Sequence, residues 1–252
     1  MPMLIRFAGL LIALALASCV AAQSAVEVGG AASQLVSAEV GLDAGTEADE
    51  ISEDAGAESV TEAAAANDAD HDDPADYVWE EADVIPIALN GDSISADSDG
   101  VAVEGSRATI SAAGTYRLSG SLADGQIVVD TEDESIVRLI LSGVDLHNST
   151  GAPIYIVSAE KVLIVLTDGT DNHISDGETY VFEDPDEDEP NAAIFSKADL
   201  TISGEGSLAV EGRYNDGIAS KDGLIVASGN VTVDAVDDGI RGKDYLVVRG
   251  GA

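Results

Sequence analysis

Short apolar runs separated by polar turn residues dominate the chain from about residue 84 onward. Runs rich in Val, Ile and Leu alternate with Gly, Asp, Asn and Ser, a pattern typical of β-strands joined by turns. The clearest predicted strands are residues 108–110, 114–118, 127–130, 136–141 and 162–166. Because no spacing typical of an amphipathic helix occurs after residue 80, the pattern predicts an all-β domain.

Four segments of this domain resemble one another in sequence. They begin at Ile156, Ile194, Ile218 and Ile240, and the last three start 24 and 22 residues apart. A repeat of this length without a helix is typical of one turn of a parallel β-helix, a solenoid in which turns stack. Right-handed coiling is expected for such connections. The 38 residues between the first two segments indicate an insertion, whose acidic run 183–190 is predicted to be a surface loop.

Three of the segments share a recognisable motif. Residues 191–197 read NAAIFSK, residues 215–222 read NDGIASKD, and residues 237–244 read DDGIRGKD. They resemble the bacterial carbohydrate-binding-domain lipoproteins, and the resemblance extends from about residue 84 to the end of the chain. It implies a right-handed parallel β-helix with a pectate-lyase-like fold, bound calcium, and binding of polysaccharide without cleavage.

The first 19 residues have the features of a bacterial signal peptide. Arg6 precedes a short apolar run, which ends in a Leu-Ala-Ser-Cys sequence at Cys19 that resembles a lipobox. This resemblance implies lipidation of Cys19, and we expect an exported protein anchored to a membrane of the cell envelope and displayed on the cell surface. The alternative is an ordinary secretory signal cleaved near Ala22 or Gln23. Cys19 is the single cysteine, so no disulfide can form within one chain.

Charge is distributed very unevenly along the chain. The net charge is -37, and no Lys or Arg occurs between Arg6 and Arg107. Residues 20–76 lack basic residues and a sustained apolar period, so they are predicted to be a disordered acidic linker before a domain at 77–252. Another turn would be expected after Ala252, so the domain is expected to be incomplete at its C-terminus. The acidic charge argues against nucleic acid as a partner.

Stacking of the repeats would place acidic residues in columns. Equivalent residues of neighbouring parallel strands lie about 4.8 Å apart, where two carboxylates repel by roughly 3 kcal/mol at an effective dielectric constant of 20. One calcium ion between two turns would offset this repulsion. The alignment predicts calcium ligands at Asn215, Asp216, Asp237 and Asp238, assisted by carbonyls freed at Gly217 and Gly239. The alternative is that these Asx-Gly pairs only form turns.

A second column is cationic. Lys197, Lys221 and Lys243 occupy equivalent repeat positions, and the chain contains only one other lysine. Beside Asp222 and Asp244 these lysines could form a ladder of salt bridges. The functional interpretation is a stripe that binds acidic sugars, extended by Arg213 and Arg241, with Tyr214 as the aromatic contact.

These features favour a non-catalytic carbohydrate-binding protein that recognises polysaccharide, including acidic pectin-like polymers, on a calcium-stabilised β-helix. One alternative is a calcium-dependent polysaccharide lyase, for which Arg241 or Lys243 would be the candidate base. Another alternative is an adhesin or matrix protein that binds protein partners. No nucleophile elbow and no phosphate-binding loop occurs in the sequence.

Overall fold

The computed structural model describes residues 72–182, 184 and 186–251, all within one structural unit, Ala55–Ala252. The predicted signal peptide, Cys19 and residues 20–71 of the predicted linker lie outside the described residues. The described part is all-β, as predicted, with two short 3-10 helices at Pro74–Tyr77 and Glu81–Asp83. None of its helices has the length and apolar character needed to cross a membrane.

The strands form two sheets. The larger sheet contains β1 (Ile85–Gly91), β2 (Ile94–Ala96), β5 (Gly114–Leu122), β7 (Val137–Asn148), β9 (Lys161–Leu166), β10 (Asp171–Asp176), β12 (Asp199–Gly204), β13 (Ser207–Gly212), β15 (Gly223–Val226), β16 (Asn230–Ala235) and β18 (Tyr245–Val248). The smaller sheet contains β3 (Val101–Glu104), β4 (Arg107–Ile110), β6 (Gln126–Asp130), β8 (Ile154–Ser158), β11 (Ala192–Ser196), β14 (Asp216–Ser220) and β17 (Ile240–Gly242).

Almost all strand pairs are parallel, and the exceptions lie near the N-terminal end, where β1 pairs with β2 and β3 with β4. The larger sheet has two arms that meet at the long strand β7. The first half of β7 pairs with β9, which leads to β12, β15 and β18, whereas its second half pairs with β10, which leads to β13 and β16. Between β8 and β16 the chain therefore visits the smaller sheet, the first arm and the second arm three times in the same order.

The register of the repeats agrees with the sequence alignment in the last three copies. Ile194 pairs with Ile218, and Ile218 pairs with Ile240. The alignment of the first copy was wrong by two residues, because Ile194 pairs with Ile154 and Ser196 with Ile156. The corner from Ile154 to Lys161 is two residues longer than the corresponding corner from Ile194 to Asp199. The longer corner shifts the sequence alignment by two residues, although the same strands still pair.

Aliphatic side chains from both sheets fill the interior in columns. Each column takes one residue from each stacked strand, so that a branched side chain packs directly on the equivalent residue of the neighbouring strand. The three central columns are Ile127, Ile154, Ile194 and Ile218; Leu139, Ile164, Ile202 and Val226; and Leu146, Ile174 and Val210. All of these side chains are buried, which explains how a chain with 4% aromatic residues forms a continuous core.

The described N-terminal segment packs against the larger sheet. The Lys161 Nζ atom lies 2.5 Å from the Asp76 carboxylate, and the Arg138 Nε–H donates to the Asp76 carbonyl over 2.6 Å. Arg249 of the last described turn pairs with Asp72. These contacts hold residues 72–76, the last part of the predicted linker, against the larger sheet.

Candidate functional site

Three carboxylates converge where the chain enters two neighbouring strands of the smaller sheet. Asp216 is the first residue of β14, and Asp237 and Asp238 lie in the loop before β17. One oxygen from each carboxylate lies within 4.8 Å of one from each of the others. The structure thus brings together the three aspartates that the sequence alignment predicted as ligands of one ion.

Asp216 is the buried member of this group, with 1% of its surface exposed. Its Oδ1 accepts a hydrogen bond from the Asn215 side-chain amide over 2.8 Å and a longer one from the Asp238 backbone N–H over 3.3 Å. Its Oδ2 is buried and accepts no hydrogen bond from the described residues. A buried carboxylate oxygen without a hydrogen bond is costly unless a cation compensates its charge.

Arg241 supplies part of that compensation. Its Nη2 atom lies 2.5 Å from the Asp216 Oδ2, without the geometry of a hydrogen bond, and its Nε atom lies 3.9 Å from the Asp238 carboxylate. The same Nη2 donates weakly to the Asn191 side-chain oxygen over 3.4 Å. Three carboxylates and one guanidinium leave a formal charge of -2 in this cluster.

Gly217 allows the strands to approach closely here. A Cβ atom on Gly217 would lie 2.2 Å from the Val233 side chain and 2.7 Å from the Gly239 carbonyl oxygen, so no larger residue fits without movement. The Gly239 carbonyl accepts the Ile218 N–H over 3.0 Å. The Gly239 carbonyl, predicted to assist the ion, therefore already accepts one backbone hydrogen bond, whereas the three carboxylates supply the oxygens that lie close together. The Asn215 amide helps to orient Asp216 from the same loop.

The predicted lysine column lies at the opposite end of the same strands. Lys197, Lys221 and Lys243 directly follow β11, β14 and β17. Their backbone N–H groups donate to the carbonyls of Ile156, Ser196 and Ser220, which end or lie in the neighbouring strands β8, β11 and β14. Buried serines shape these corners, since the Ser196 hydroxyl donates to the Ala198 carbonyl over 2.6 Å. Asp216 and Lys221 are separated by the length of β14, roughly 16 Å at about 3.3 Å per residue.

The three lysines have different surroundings. Lys197 is exposed and its Nζ lies 5.8 Å from the centre of the Tyr155 ring. The Tyr155 hydroxyl, followed by the carboxylates of Glu189 and Glu187, raises the pKa of Lys197. Lys221 pairs with Glu189, which belongs to the insertion between β10 and β11. Lys243 is exposed.

This insertion, residues 177–191, also packs on the smaller sheet, in addition to containing the surface loop predicted at 183–190. Tyr180 and Tyr155 pack against a second buried cluster on the outside of the smaller sheet, formed by Ala152, Ala192, Phe195 and Ala219. The Tyr180 hydroxyl donates to the Asp176 carboxylate over 2.7 Å. Burial raises the pKa of Asp176, although hydrogen bonds from Tyr180 and the backbone of Arg213 and Tyr214 act in the opposite direction.

Tyr214 and Arg213 anchor this region. The Tyr214 ring stacks on Tyr180, with centroids 4.1 Å apart and an angle of 13°, so one of its faces is already covered. Arg213 pairs with Glu211, and its backbone N–H donates to Asp176. Both residues precede β14, whereas the lysines follow the strands of the smaller sheet. The structure therefore separates these two predicted sugar contacts from the lysine column.

A groove of about 600 Å³ lies between the insertion and the strands β4, β6 and β8 of the smaller sheet. Sequence reasoning missed it. Tyr155 and the polar side chains of Arg107, Gln126 and Asn148 line one part, and Phe182, Glu187 and Glu189 line the part formed by the insertion. The available signal was Phe195, an apolar residue beside the inward-facing Ile194, which indicates that the outer face of the sheet is covered.

Comparison with known proteins gives the family of the chain. A family model described as "Carbohydrate-binding domain-containing protein" matches residues 104–252. The chain belongs to this family. The matched residues include the acidic cluster, the lysine column and the insertion.

A family member from Acetivibrio thermocellus is 45% identical over 150 residues. The match covers 59% of this chain and 52% of the relative, so the chain spans about half the length of that protein. A solved structure, described as the polysaccharide lyase-like protein from C. thermocellum in a gadolinium derivative, is 38% identical and superposes with a TM-score of 0.63. That match covers 66% of this chain and 79% of the solved chain.

Proposed function

We propose that the chain is a non-catalytic cell-surface protein that binds acidic polysaccharide on a calcium-stabilised, right-handed parallel β-helix. Membership of the carbohydrate-binding-domain family supports polysaccharide as the ligand. The repeated order of smaller sheet, first arm and second arm supports the β-helix. Export and lipid attachment at Cys19 are part of this proposal and rest on the lipobox-like sequence.

The observation that carries the calcium proposal is the buried Asp216 oxygen beside two further carboxylates. Calcium prefers carboxylate oxygens at 2.3–2.6 Å and accepts irregular geometry. A divalent ion would neutralise the formal charge of -2 that the three aspartates and Arg241 leave. The solved relative is described as a gadolinium derivative, and gadolinium is also a hard cation that takes oxygen ligands. Asp216, Asp237 and Asp238 would hold the ion, with Asn215 orienting Asp216.

The lysine column is the proposed contact for carboxylates of the polysaccharide. Lys197, Lys221 and Lys243 repeat at the spacing of neighbouring strands, so an extended acidic polymer could contact more than one of them. Arg241 faces outward between this column and the acidic cluster, since it pairs across the sheet with Ala219. Tyr214, stacked on Tyr180, acts in this proposal as support for the insertion.

Substitution of Lys243 tests the binding proposal. Lys243→Gln removes an exposed charge of the column, and we expect affinity for polygalacturonate to fall about five-fold, the value of one exposed ion pair near 1 kcal/mol. Arg117→Gln is the matched control, because Arg117 pairs with Glu81 on the larger sheet, away from the column. Calorimetric titration measures both. Equal affinities for wild type and Lys243→Gln would refute the role of the column.

A polysaccharide lyase is the second candidate, supported by the description of the solved relative as polysaccharide lyase-like and by Arg241 beside the acidic cluster. A lyase removes a proton next to a uronate carboxylate, and Arg241 is a weak candidate base because a guanidinium stays protonated. Ultraviolet absorbance during incubation with polygalacturonate and calcium distinguishes the two. Release of unsaturated products would establish the lyase, whereas a flat signal with measurable binding supports the binding protein.

A further inference from the structure

The acidic insertion brings its own carboxylates to the lysine column. Glu189 pairs with Lys221, and both side chains are partly exposed, 27% and 37% respectively. Glu187 and Glu189 also act on Lys197, where they contribute to its raised pKa after the Tyr155 hydroxyl. Two of the three lysines proposed to bind an acidic polymer are therefore already close to carboxylates of the same chain.

Hydrogen bonds and ring contacts anchor the insertion at Tyr180. The Tyr180 hydroxyl donates to Asp176 and also to the Ala192 carbonyl over 3.1 Å. Its ring stacks on Tyr214, and Phe182 lies at the edge of the same pair. A tethered group competes with a free ligand at an effective concentration in the millimolar range. Glu189 therefore reaches Lys221 without the entropy loss that a separate sugar carboxylate incurs.

We propose that the acidic insertion is an internal competitor that occupies the lysine column until an acidic polysaccharide displaces it. This inference rests on the proposed function, since it requires the column to bind carboxylates. Glu189 takes the place of a ligand carboxylate at Lys221, with Glu187 nearby. A ligand that contacts one lysine gains too little to displace the insertion. A polymer that also contacts the exposed Lys243 begins at an accessible charge and then replaces Glu189.

Glu189→Gln tests this competition. The substitution keeps the size of the side chain and removes the charge that faces Lys221, so we expect polygalacturonate to bind about three-fold more tightly, as for release of one exposed ion pair. Glu205→Gln is the matched control, because Glu205 is exposed in the turn between β12 and β13, away from the lysines. It removes the same charge, and its affinity should equal that of the wild type.

A second measurement needs no polysaccharide. Lys221 should react faster with an acetylating reagent in Glu189→Gln than in the wild type, as read by mass spectrometry of the Lys221 peptide, whereas Glu205→Gln should leave the rate unchanged. If the wild type binds polygalacturonate and Glu189→Gln binds it with the same affinity, the inference is overturned and the proposed function still stands. If neither the wild type nor either variant binds an acidic polysaccharide, the inference and the proposed function are both overturned. Tighter binding by Glu205→Gln as well would show a general charge effect and overturn the competition.

Discussion

Neutralising Asp238 should change stability in a way that depends on calcium. Asp238 has 58% of its side chain exposed, so its interactions with Asp216 and Asp237 are close to their values in water. At 4.8 Å each repulsion is about 0.9 kcal/mol at a dielectric constant of 80, and the attraction to Arg241 at 3.9 Å is about 1.1 kcal/mol. Two repulsions less one attraction leave about 0.7 kcal/mol of net destabilisation, which Asp238→Asn removes when calcium is absent.

Calcium should reverse the advantage of this variant. A ligand at 100 times its dissociation constant stabilises the folded state by about 2.7 kcal/mol, and a ten-fold loss of affinity reduces this to about 1.4 kcal/mol. Thermal unfolding in chelator and in calcium measures both effects. We expect Asp238→Asn to melt roughly 1–3 °C higher than wild type in chelator. Its gain on adding calcium should be about half that of wild type.

The exposed Asp92, in the turn between β1 and β2, provides the matched control. Asp92→Asn removes the same charge and should keep the full response to calcium. The reasoning is refuted if Asp238→Asn responds to calcium as strongly as wild type, or if it lowers the melting temperature equally in chelator and in calcium.

Three further predictions concern the parts that support the site. Phe195→Ala should lower the free energy of unfolding by about 3 kcal/mol in a urea titration, because Phe195 is fully buried beneath the insertion; a loss below 1 kcal/mol would contradict this packing. Tyr180→Phe should cost about 1 kcal/mol by the same assay through its lost hydrogen bonds, and an unchanged midpoint would argue against that anchor. Hydrogen bonding to Asp145, with a second contribution from Glu211, raises the pKa of His173. The contribution of protonated His173 to folding stability should be complete below the ordinary histidine pKa and lost as the pH rises through the raised pKa. His173→Gln should abolish this pH dependence.

The sequence was sufficient to predict which residues stack in the last three of the four copies. Ile194, Ile218 and Ile240 occupy equivalent positions of parallel strands, and this register carries Asp216 and Asp238 into one cluster. The prediction succeeded because the corner after this Ile has the same length in the last three copies, where Leu200, Leu224 and Leu246 each follow it by six residues. It failed at Ile156, where a corner two residues longer separates sequence alignment from strand pairing.

Contacts between distant segments could not be predicted in the same way. One such contact is the stacking of Tyr180 of the insertion on Tyr214. Lys221 pairs with Glu189, 32 residues earlier in the chain, and this contact is not predicted by the repeat. Neither partner shares the repeat, so periodicity carries no information about it. The insertion folds back because Phe195 and Ala219 leave an apolar patch outside the smaller sheet, which water would otherwise contact.

The most direct test of the account is calorimetric titration of the full chain with polygalacturonate, in calcium and again in chelator. The account predicts saturable binding in calcium and weaker binding in chelator, because loss of the ion destabilises the start of β14 and β17, the strands that Lys221 and Lys243 directly follow. Absence of binding in both conditions, or binding that chelator leaves unchanged, would contradict it.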